Sequence, residues 1–499
     1  MIRTSGGTRH PLGRPIVNVA VVLSLAFGAL AGAAGYWGVV RGPELARAPS
    51  DAAVIAASRT VPRGRILDRD GTVLARNTTD ANGELHRVYA SDAVSPVVGY
   101  ASRRYGRAGL ERSYDAELAG LSSDAATDAF RKFMTDPYDP QDLTLSLSLD
   151  LQRAAVRALG KNRGAVVMLD PRTGEVLALA STPTFDASAV ADPATAEATF
   201  EGLLDDPAQP LLPRATQGRY VPGSVFKIVT AVAGLGSGAV TPSTTYKEQP
   251  PAEKTGLLVE GFRIKDGHHP LTGSRALDLV GATEVSCNIW YALTGLETGG
   301  ADLVDYADRM GFDQPIPFDL PTAVSQLNDG SGRQPGGFAD DVELANAAYG
   351  QAETFVTPLQ MALVAATVAN DGVLMRPRLV TAMTGERSGT RQIGPSRMAT
   401  VIDAADANAI TDGMVAAVEG DLGRQFTTGA KVPGITTAGK SGTAELGGTG
   451  EPHSWFIGFA PADHPTIAIA VLVEKGGRGA EAAAPIGGAL MTRYLKATQ

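Results

Sequence analysis

The sequence predicts an α+β fold, and three observations lead to this prediction. With 499 residues, the chain is long enough for two or three domains. Paired apolar stretches around turn residues occur at 164–181 and again at 454–474, with helical sequence between them. A run without charged residues stands at 16–40. We therefore expect one transmembrane helix, a small mixed α/β domain, and a larger domain whose antiparallel sheet is flanked by helices and a helical subdomain.

The N-terminal apolar run is long enough to cross a membrane. At about 1.5 Å per residue, residues 16–40 extend roughly 37 Å, against a hydrocarbon layer of about 30 Å. A cleavable signal peptide is the alternative, because the small residues at 29–31 resemble a cleavage site. The apolar run continues well beyond them and ends near Tyr36 and Trp37, which favours an uncleaved anchor.

The charges beside this segment predict its orientation. Arg3, Arg9 and Arg14 precede it, and positive flanking charge keeps that end in the cytoplasm. We expect a cytoplasmic tail at 1–15 and a single-pass protein of the plasma membrane. The chain after Arg41 is then extracytoplasmic.

Composition argues against several classes of function. The chain has 44 basic and 53 acidic residues, a net charge of -9, which is unlike the basic face that nucleic-acid binding requires. Cys287 is the one cysteine, so the sequence allows neither an intrachain disulfide nor a thiolate metal site. His268 and His269 lie in a polar stretch that favours a turn. We expect no nucleic-acid partner, no metal and no cofactor.

Residues 41–140 form a predicted small mixed domain, here called the pedestal. Its first part, after the anchor, is rich in Ala and Pro and suits a connector. Apolar residues alternate on both sides of Asp70 and Gly71, which predicts a β-hairpin at 63–76. Residues 106–120 resemble a loop that leads into a short helix. No catalytic grouping is evident in the pedestal.

Residues 141–499 form the predicted catalytic domain. It begins with period-2 alternation, followed by the helical spacing of Leu151, Ala155 and Leu159. Hairpins are predicted at 164–181 and at 454–474, and a helix closes the chain. An antiparallel sheet assembled from both ends of this domain is the simplest topology.

The stretch GITTAGKS at 434–441 matches the phosphate-binding loop of nucleotide-hydrolysing enzymes, but its surroundings do not. Such a loop follows a buried strand and opens a helix. Polar, broken sequence precedes Gly434, and the residues after Ser441 are too rich in glycine for a helix interior. We therefore expect no nucleotide here and predict an edge strand at 436–443.

A serine and a lysine at helical spacing form a candidate nucleophile and base. Pro222 and Gly223 break the chain, and Ser224 then begins an apolar helix. Lys227, three residues on, lies on the same helical face. A serine hydroxyl is a poor nucleophile until a base takes its proton. The alternative is a helix N-cap at Ser224 and a solvated Lys227.

Lysine can act as that base only in its neutral form. Its ordinary pKa is about 10.4, so a pKa near 7 requires a shift of about 3 units, roughly 4 kcal/mol. Burial and a second nearby cation supply such shifts. The apolar helix predicts the burial of Lys227, and Lys440 is the candidate second cation.

A third motif, an S-x-N pair, strengthens the catalytic interpretation of Ser224 and Lys227. Ser286 and Asn288 form an S-x-N pair on a predicted tight loop before a helix that starts near Ile289. By itself this pair is better interpreted as a helix cap. The ordered set S-x-x-K, S-x-N and K-[ST]-G matches the motifs of penicillin-binding proteins and class A β-lactamases. The set predicts a serine acyltransferase.

The chain resembles the class B penicillin-binding proteins, monofunctional peptidoglycan D,D-transpeptidases, and most of all their actinobacterial penicillin-binding protein A group. The motifs that carry the resemblance are, in chain order, RGRILDRDG, GLERSYDAEL, YVPGSVFK, SCN, GQAETFVTPLQMALVAATVANDG and KSGTAE. The departures are Cys287 within the S-x-N motif and Ser441, where many relatives carry threonine. Neither removes a group that the chemistry requires. The implied fold is a penicillin-binding, serine β-lactamase-like transpeptidase domain.

The resemblance also implies the roles of the motif residues. Ser224 would attack the D-Ala-D-Ala carbonyl of a stem peptide, with Lys227 accepting its proton. The backbone N–H groups of Ser224 and Thr443 would form the oxyanion hole. Ser286 would relay a proton to the departing D-alanine, and Asn288 would hold the substrate amide.

The same resemblance implies the remaining substrate contacts. Lys440, Ser441 and Thr443 would receive the terminal carboxylate, with Gly442 among the substrate-binding positions. An amine of a neighbouring stem peptide would then take the acyl group and complete a cross-link. β-Lactam antibiotics would acylate Ser224, and a membrane-embedded glycosyltransferase would be a partner.

Several alternatives share part of this pattern. A β-lactamase would need a deacylating base, and no convincing E-x-x-L-N loop lies between Ser286 and Lys440. A D,D-carboxypeptidase, a β-lactam sensor and a catalytically idle scaffold stay open, although an idle relative is expected to lose a reactive group. A bifunctional enzyme is excluded because the pedestal leaves too little chain for a glycosyltransferase domain.

Overall fold

The computed structural model describes most of the chain beyond the predicted connector. The described residues are 62–79, 83–121, 138–266, 275–423, 427–446 and 450–498. The predicted membrane anchor at 16–40 lies outside these ranges. His268 and His269 also lie outside them. Within these described ranges, no helix has the length and apolar character needed to span a membrane.

The strands, numbered in chain order, fall in the pedestal and at both ends of the catalytic domain. They are β1 (Ile66–Leu67), β2 (Val73–Thr79), β3 (Leu85–Tyr89), β4 (Ala101–Ser102), β5 (Gly106–Arg107), β6 (Asp142–Leu145), β7 (Gly164–Leu169), β8 (Val176–Thr182), β9 (Leu257–Val259), β10 (Phe262–Ile264), β11 (Val373–Met375), β12 (Val380–Gly385), β13 (Gly389–Gln392), β14 (Arg397–Thr400), β15 (Ala438–Ala444), β16 (His453–Ala460) and β17 (Ile467–Val473).

The helices occupy mainly the middle of the catalytic domain. They are α1 (Ser95–Val98), α2 (Gly109–Ser113), α3 (Asp115–Leu118), α4 (Leu149–Leu159), α5 (Ala187–Ala191), α6 (Ala196–Asp205), α7 (Arg214–Gln217), α8 (Lys227–Gly236), α9 (Gln249–Thr255), α10 (Leu279–Val285), α11 (Asn288–Thr298), α12 (Gly300–Arg309), α13 (Asp341–Ala347), α14 (Pro358–Ala369), α15 (Ala404–Glu419) and α16 (Ala483–Thr498). Short 3₁₀ turns add Asp92–Val94, Gly223–Phe226, Pro335–Gly337 and Thr428–Ala430.

The predicted hairpin of the pedestal is confirmed as β1 and β2. Its turn is held by Asp68, whose Oδ1 accepts hydrogen bonds from the backbone N–H groups of Asp70 (3.0 Å) and Thr72 (2.8 Å). Gly71 takes φ +82° in this turn, a conformation that favours glycine. The local chemistry of the turn thus fixes the hairpin.

The pedestal sheet also recruits strands from far along the chain. Its order is β13-β12-β6-β1-β2-β3, with β6 parallel to β1 and antiparallel to β12. Ile66 pairs with Leu143, and Leu145 pairs with Val380. The domain boundary predicted at residue 140 falls just before β6 and stays a prediction.

The second sheet confirms the predicted topology of the catalytic domain. Its order is β15-β16-β17-β7-β8, every neighbouring pair is antiparallel, and β15 is the predicted edge strand. The hairpins β7–β8 and β16–β17 come from opposite ends of the domain. Both ends of the domain therefore build one sheet.

Helices cover both faces of this second sheet, so its strands are buried on both sides. Val167 and Leu169 face one apolar core, which also contains α8 and α14, while Val166 and Met168 face another, which contains α4 and α16. This double burial explains why these strands read as continuous apolar runs. The helix α8, apolar nearly all round, lies in the larger core.

Candidate active site

Ser224 lies in a tight turn that is pressed against the edge strand β15. The 3₁₀ turn Gly223–Phe226 contains it and continues directly into α8. Gly223 has φ +57°, and a Cβ at this position would lie 2.7 Å from the carbonyl oxygen of Thr443. Since a side chain there would clash with β15, this glycine lets the turn that contains Ser224 approach the strand.

The chain before this turn is fixed by contacts from three sides. The indole N–H of Trp455 donates a hydrogen bond to the carbonyl of Val221 at 3.0 Å. The hydroxyl of Tyr220 donates to Glu474 at 2.8 Å. The N–H of Gly223 donates to the carbonyl of Gly350 at 2.8 Å. These contacts fix the backbone on which the candidate nucleophile Ser224 lies.

Lys227 is fully buried, which excludes a solvated flank. Its ammonium donates to the carbonyl of Ser286 (2.6 Å), to the hydroxyl of Ser286 (3.1 Å) and to Oδ1 of Asn288 (2.7 Å). The predicted neighbour Ser224 is partly exposed, at the start of the same helix. Lys227 thus joins the S-x-x-K motif to the S-x-N pair.

The S-x-N motif occupies the junction between α10 and α11, and its middle residue is the helix cap. Ser286 ends α10 in the left-handed region, with φ 60°. The N-cap of α11 is Cys287, whose sulfur accepts a hydrogen bond from the N–H of Trp290 at 3.3 Å. Because Cys287 supplies the cap, the hydroxyl of Ser286 is left for the two lysines.

Lys440 is the second buried cation of the site. Its ammonium donates to the hydroxyl of Ser286 at 2.8 Å and to the carbonyl of Ser441 at 3.0 Å. The hydroxyl oxygen of Ser286 accepts from both lysines and uses both of its lone pairs. While both lysines are protonated, its own proton therefore points away from Lys227 and Lys440.

The rest of the K-S-G-T strand combines close packing with exposure. A Cβ on Gly442 would lie 2.9 Å from the carbonyl oxygen of Pro222, so a glycine is required where β15 crosses the turn that contains Ser224. Ser441 is largely buried, whereas Thr443 is exposed and its hydroxyl accepts a hydrogen bond from the N–H of Gly479 at 3.3 Å. The strand thus offers a polar edge beside Ser224.

Comparison with known proteins identifies the family. Residues 164–492 match the model of the penicillin binding protein transpeptidase domain, and residues 63–140 match that of the penicillin binding protein A dimerisation domain. The chain is 36% identical over 472 residues to the peptidoglycan D,D-transpeptidase PbpA of Mycolicibacterium smegmatis, covering 90% of this chain and 92% of the relative. The chain belongs to the penicillin-binding protein transpeptidases.

Solved structures of this family have the same fold. The imipenem acyl-enzyme complex of Mycobacterium tuberculosis penicillin-binding protein A matches with a TM-score of 0.75 and 32% identity, covering 88% of this chain and 99% of that one. Its penicillin G acyl-enzyme complex matches with a TM-score of 0.76 and 31% identity over 87% and 99%. The present transpeptidase therefore has the mixed α/β penicillin-binding fold, with sheets flanked by helices.

Burial lowers the pKa of both lysines of this transpeptidase, but the neighbouring charges act in opposite directions at the two residues. It lowers the pKa of Lys227 to about 8, although the negative charge of Asp266 opposes the shift. Burial also lowers the pKa of Lys440 well below its usual value, and the charge of Lys227 adds to that effect. The expected burial of Lys227 is thus confirmed. The effect of a second cation is found at Lys440, whose pKa is lowered by the charge of Lys227.

Asp266 belongs to the site, although sequence reasoning treated its neighbourhood as a polar turn. Its carboxylate accepts hydrogen bonds from the thiol of Cys287 (2.9 Å) and the N–H of Asn288 (2.7 Å). A single aspartate with no fixed spacing to a motif gives no signal in the sequence.

In the described parts of the chain, no group of three or more His, Cys, Asp or Glu side chains could hold a metal ion.

Proposed function

We propose that this peptidoglycan D,D-transpeptidase cross-links stem peptides through an acyl-enzyme on Ser224, with release of D-alanine. One observation carries the assignment of the residues: two buried lysines converge on the hydroxyl of Ser286, beside a serine turn pressed against β15. Such a constellation joins a nucleophile, a base and a proton relay within one small volume.

In the first step, Ser224 attacks the carbonyl of the penultimate D-alanine while Lys227 accepts the hydroxyl proton. A pKa near 8 leaves an appreciable neutral fraction of Lys227 at neutral pH. The bond formed is Ser224 Oγ to the carbonyl carbon, and the negative charge develops on the carbonyl oxygen. Lys227 lies one helical turn from the nucleophile, on the same face.

The developing oxyanion is stabilised by the backbone N–H groups of Ser224 and Thr443. The close approach of β15 to the nucleophile turn, which requires Gly223 and Gly442, brings these two segments together. Backbone donors fixed in this way cost no reorganisation as the charge appears. The two glycines thus serve the oxyanion hole by permitting that approach.

Collapse of the tetrahedral species breaks the C–N bond to the terminal D-alanine, whose nitrogen must gain a proton. The hydroxyl of Ser286 supplies it, because both of its lone pairs are used by the lysines and its proton points elsewhere. Lys227 or Lys440 then returns a proton to Ser286. An amine of a second stem peptide attacks the ester, forms the cross-link and regenerates Ser224.

The polar edge of β15 and the S-x-N pair position the substrate. Lys440, Ser441 and Thr443 receive the terminal carboxylate, with Gly442 completing the strand. Asn288 holds the amide of the stem peptide. A β-lactam carries a carboxylate and a reactive amide at similar positions, so it acylates Ser224, and slow deacylation keeps the enzyme inhibited.

The test is acylation of the purified chain with a fluorescent penicillin, with the labelled residue located by peptide mass spectrometry. We expect a stoichiometric, long-lived label on Ser224 that is absent from Ser224→Ala. Rapid turnover of the penicillin would instead support a β-lactamase. No label on a folded chain would favour an idle scaffold.

The setting of the enzyme is a further part of the proposal. Residues 16–40 anchor it in the plasma membrane, with 1–15 in the cytoplasm and the catalytic domain outside. A membrane-embedded glycosyltransferase is its partner, supplying the glycan strands whose peptides are cross-linked. Co-purification tests the partnership, and an absence of association above background in several detergents would count against it.

A further inference from the structure

The hydrogen bonds of Asp266 extend the catalytic group beyond the motif residues. Asp266 lies two residues after β10, outside every motif of the sequence. Its Oδ1 accepts from the backbone N–H of Asn288 at 2.7 Å, and its Oδ2 accepts from the thiol of Cys287 at 2.9 Å. One carboxylate thus binds two of the three residues of the S-x-N motif.

The backbone beside Asp266 fixes the side chain of Asn288 as well. The carbonyl of Lys265 accepts a hydrogen bond from Nδ2 of Asn288 at 3.2 Å. With the amide nitrogen bound there, Oδ1 of Asn288 faces the ammonium of Lys227 at 2.7 Å. The segment Lys265–Asp266 therefore determines which end of the amide meets the lysine.

The charged and titratable groups around Lys227 come from several elements. Lys440 on β15 shares the hydroxyl of Ser286 with it, and the ring of Tyr291 on α11 lies 5.6 Å from its ammonium. Burial raises the pKa of the Cys287 thiol well above its usual value, so this thiol stays neutral. Among the groups acting on Lys227 in the described chain, Asp266 therefore supplies the negative charge.

We propose that Asp266 is a positioning residue of the transpeptidase. Its carboxylate holds the S-x-N segment so that Asn288 faces Lys227, and its negative charge favours the protonated form of that lysine against the effect of burial. The inference rests on the proposed role of Lys227 as the base for Ser224. Two separable effects follow, one on geometry and one on charge.

The experiment measures the second-order rate constant of acylation by a fluorescent penicillin between about pH 6 and pH 10, with the full chain in mild detergent. In the unaltered chain, the rate constant rises with pH as Lys227 loses its proton and then reaches a plateau. Asp266→Asn removes the charge but keeps an oxygen for the N–H of Asn288. We expect its midpoint to move about half a pH unit lower, with a plateau reduced less than about tenfold.

Matched variants separate charge from geometry. Asp266→Ala removes charge and acceptor, so its midpoint should move in the same direction and its plateau should fall by about tenfold or more. Asp266→Glu keeps the charge and should restore the midpoint. Cys287→Ala removes the other donor yet keeps the carboxylate, so its midpoint should stay that of the unaltered chain.

The outcomes distinguish this inference from the function on which it rests. A midpoint of Asp266→Asn identical to that of the unaltered chain, with a normal thermal unfolding transition, would overturn the role of the charge. If Asp266→Ala does not fold, Asp266→Asn and Asp266→Glu still decide the question. Absence of acylation in the unaltered chain would overturn both the proposed function and the inference.

Discussion

The pedestal and the candidate active site both contain buried charged side chains, but the partners of these charges differ. In the pedestal, the fully buried Glu111 accepts from Arg63 at 2.9 Å and from Arg87 at 2.7 Å. In the candidate active site, the buried Lys227 and Lys440 share the hydroxyl of Ser286 as an acceptor. Each also donates to uncharged carbonyl or amide oxygens of its own. Buried charge is thus compensated by opposite charge in one region and left largely uncompensated in the other.

The pKa shifts follow from this difference. Burial alone would raise the pKa of Glu111, but the charges of Arg87 and Arg63 outweigh it and hold the pKa below its usual value. At Lys227, burial prevails over the opposing charge of Asp266 and lowers the pKa to about 8. The carboxylate of Glu111, compensated by two arginines, stays ionised and stabilises the fold. The ammonium of Lys227, which lacks such compensation, loses its proton more easily than an ordinary lysine.

Of the substitutions that test this comparison, Lys227→Met is expected to have the largest effect on acylation. An apolar side chain of similar length removes the base, so the acylation rate constant for fluorescent penicillin should fall about 10³-fold. The free energy of unfolding should change little, because the removal of a buried cation offsets the loss of its hydrogen bonds to Ser286 and Asn288. Parallel acylation and thermal melts test both parts. A variant that lost activity only because it unfolds would contradict the contrast.

Glu111→Gln tests the other region. It leaves Arg87 buried without its carboxylate, whereas Arg63 keeps Asp115 at 2.6 Å, so the free energy of unfolding should fall by about 3 kcal/mol. Chemical denaturation measures the loss. Acylation per folded molecule should stay the same, since Glu111 lies in the pedestal; a large loss of acylation in the folded variant would show that the two regions are coupled.

Acidification should separate the two regions without any substitution. Neutral Lys227 is lost as pH falls below its pKa of about 8, so acylation at pH 6 should be about 100-fold slower than at high pH, and slower still below that. The stabilisation by Glu111 is present above its unfolded pKa of about 4.3 and is lost only as pH falls through its lower folded pKa. From pH 8 to pH 6 we expect falling acylation with only a modest fall in melting temperature, because the folded chain holds fewer protons on Lys227 and Lys440 than the unfolded chain does. A collapse of the fold in this range would contradict the contribution of Glu111.

The smallest effect is expected at Cys287. Cys287→Ser keeps a hydrogen-bond donor for Asp266 and an acceptor for the N–H of Trp290, so acylation should change less than about threefold. The thiol is buried and its pKa is raised, so iodoacetamide should not alkylate it in the folded chain at pH 8. Rapid alkylation, measured by mass spectrometry, would contradict this environment.

Much of the site could be predicted from the sequence because its motifs obey local geometry. The spacing of Ser224 and Lys227 places them on one helical face. The glycine-rich sequence after Ser441 is unsuited to a helix, which favours the strand that is observed as β15. What lies at the end of the lysine side chain does not follow from spacing. Lys227 selects Ser286 and Asn288 as acceptors, and those residues reach it only through tertiary packing.

The fold follows the same division. Hairpins such as β7–β8 and β16–β17 are local, and their periodicity and turn residues predict them. The pairing of β1 with β6, and of β6 with β12, joins distant segments through very short strands, for which periodicity gives no partner. Asp266 was missed for a similar reason, because one carboxylate placed by a hairpin has no sequence signature.

The composite sheet of the pedestal imposes an order on biosynthesis. Its strands β1, β2 and β3 leave the ribosome early, whereas β12 and β13, which complete the sheet, follow roughly 300 residues later. Until then the edge of β6 that β12 covers is open and can pair with other chains. A nascent chain of this enzyme therefore needs protection from aggregation until nearly four fifths of it has been made, and only then can the pedestal close.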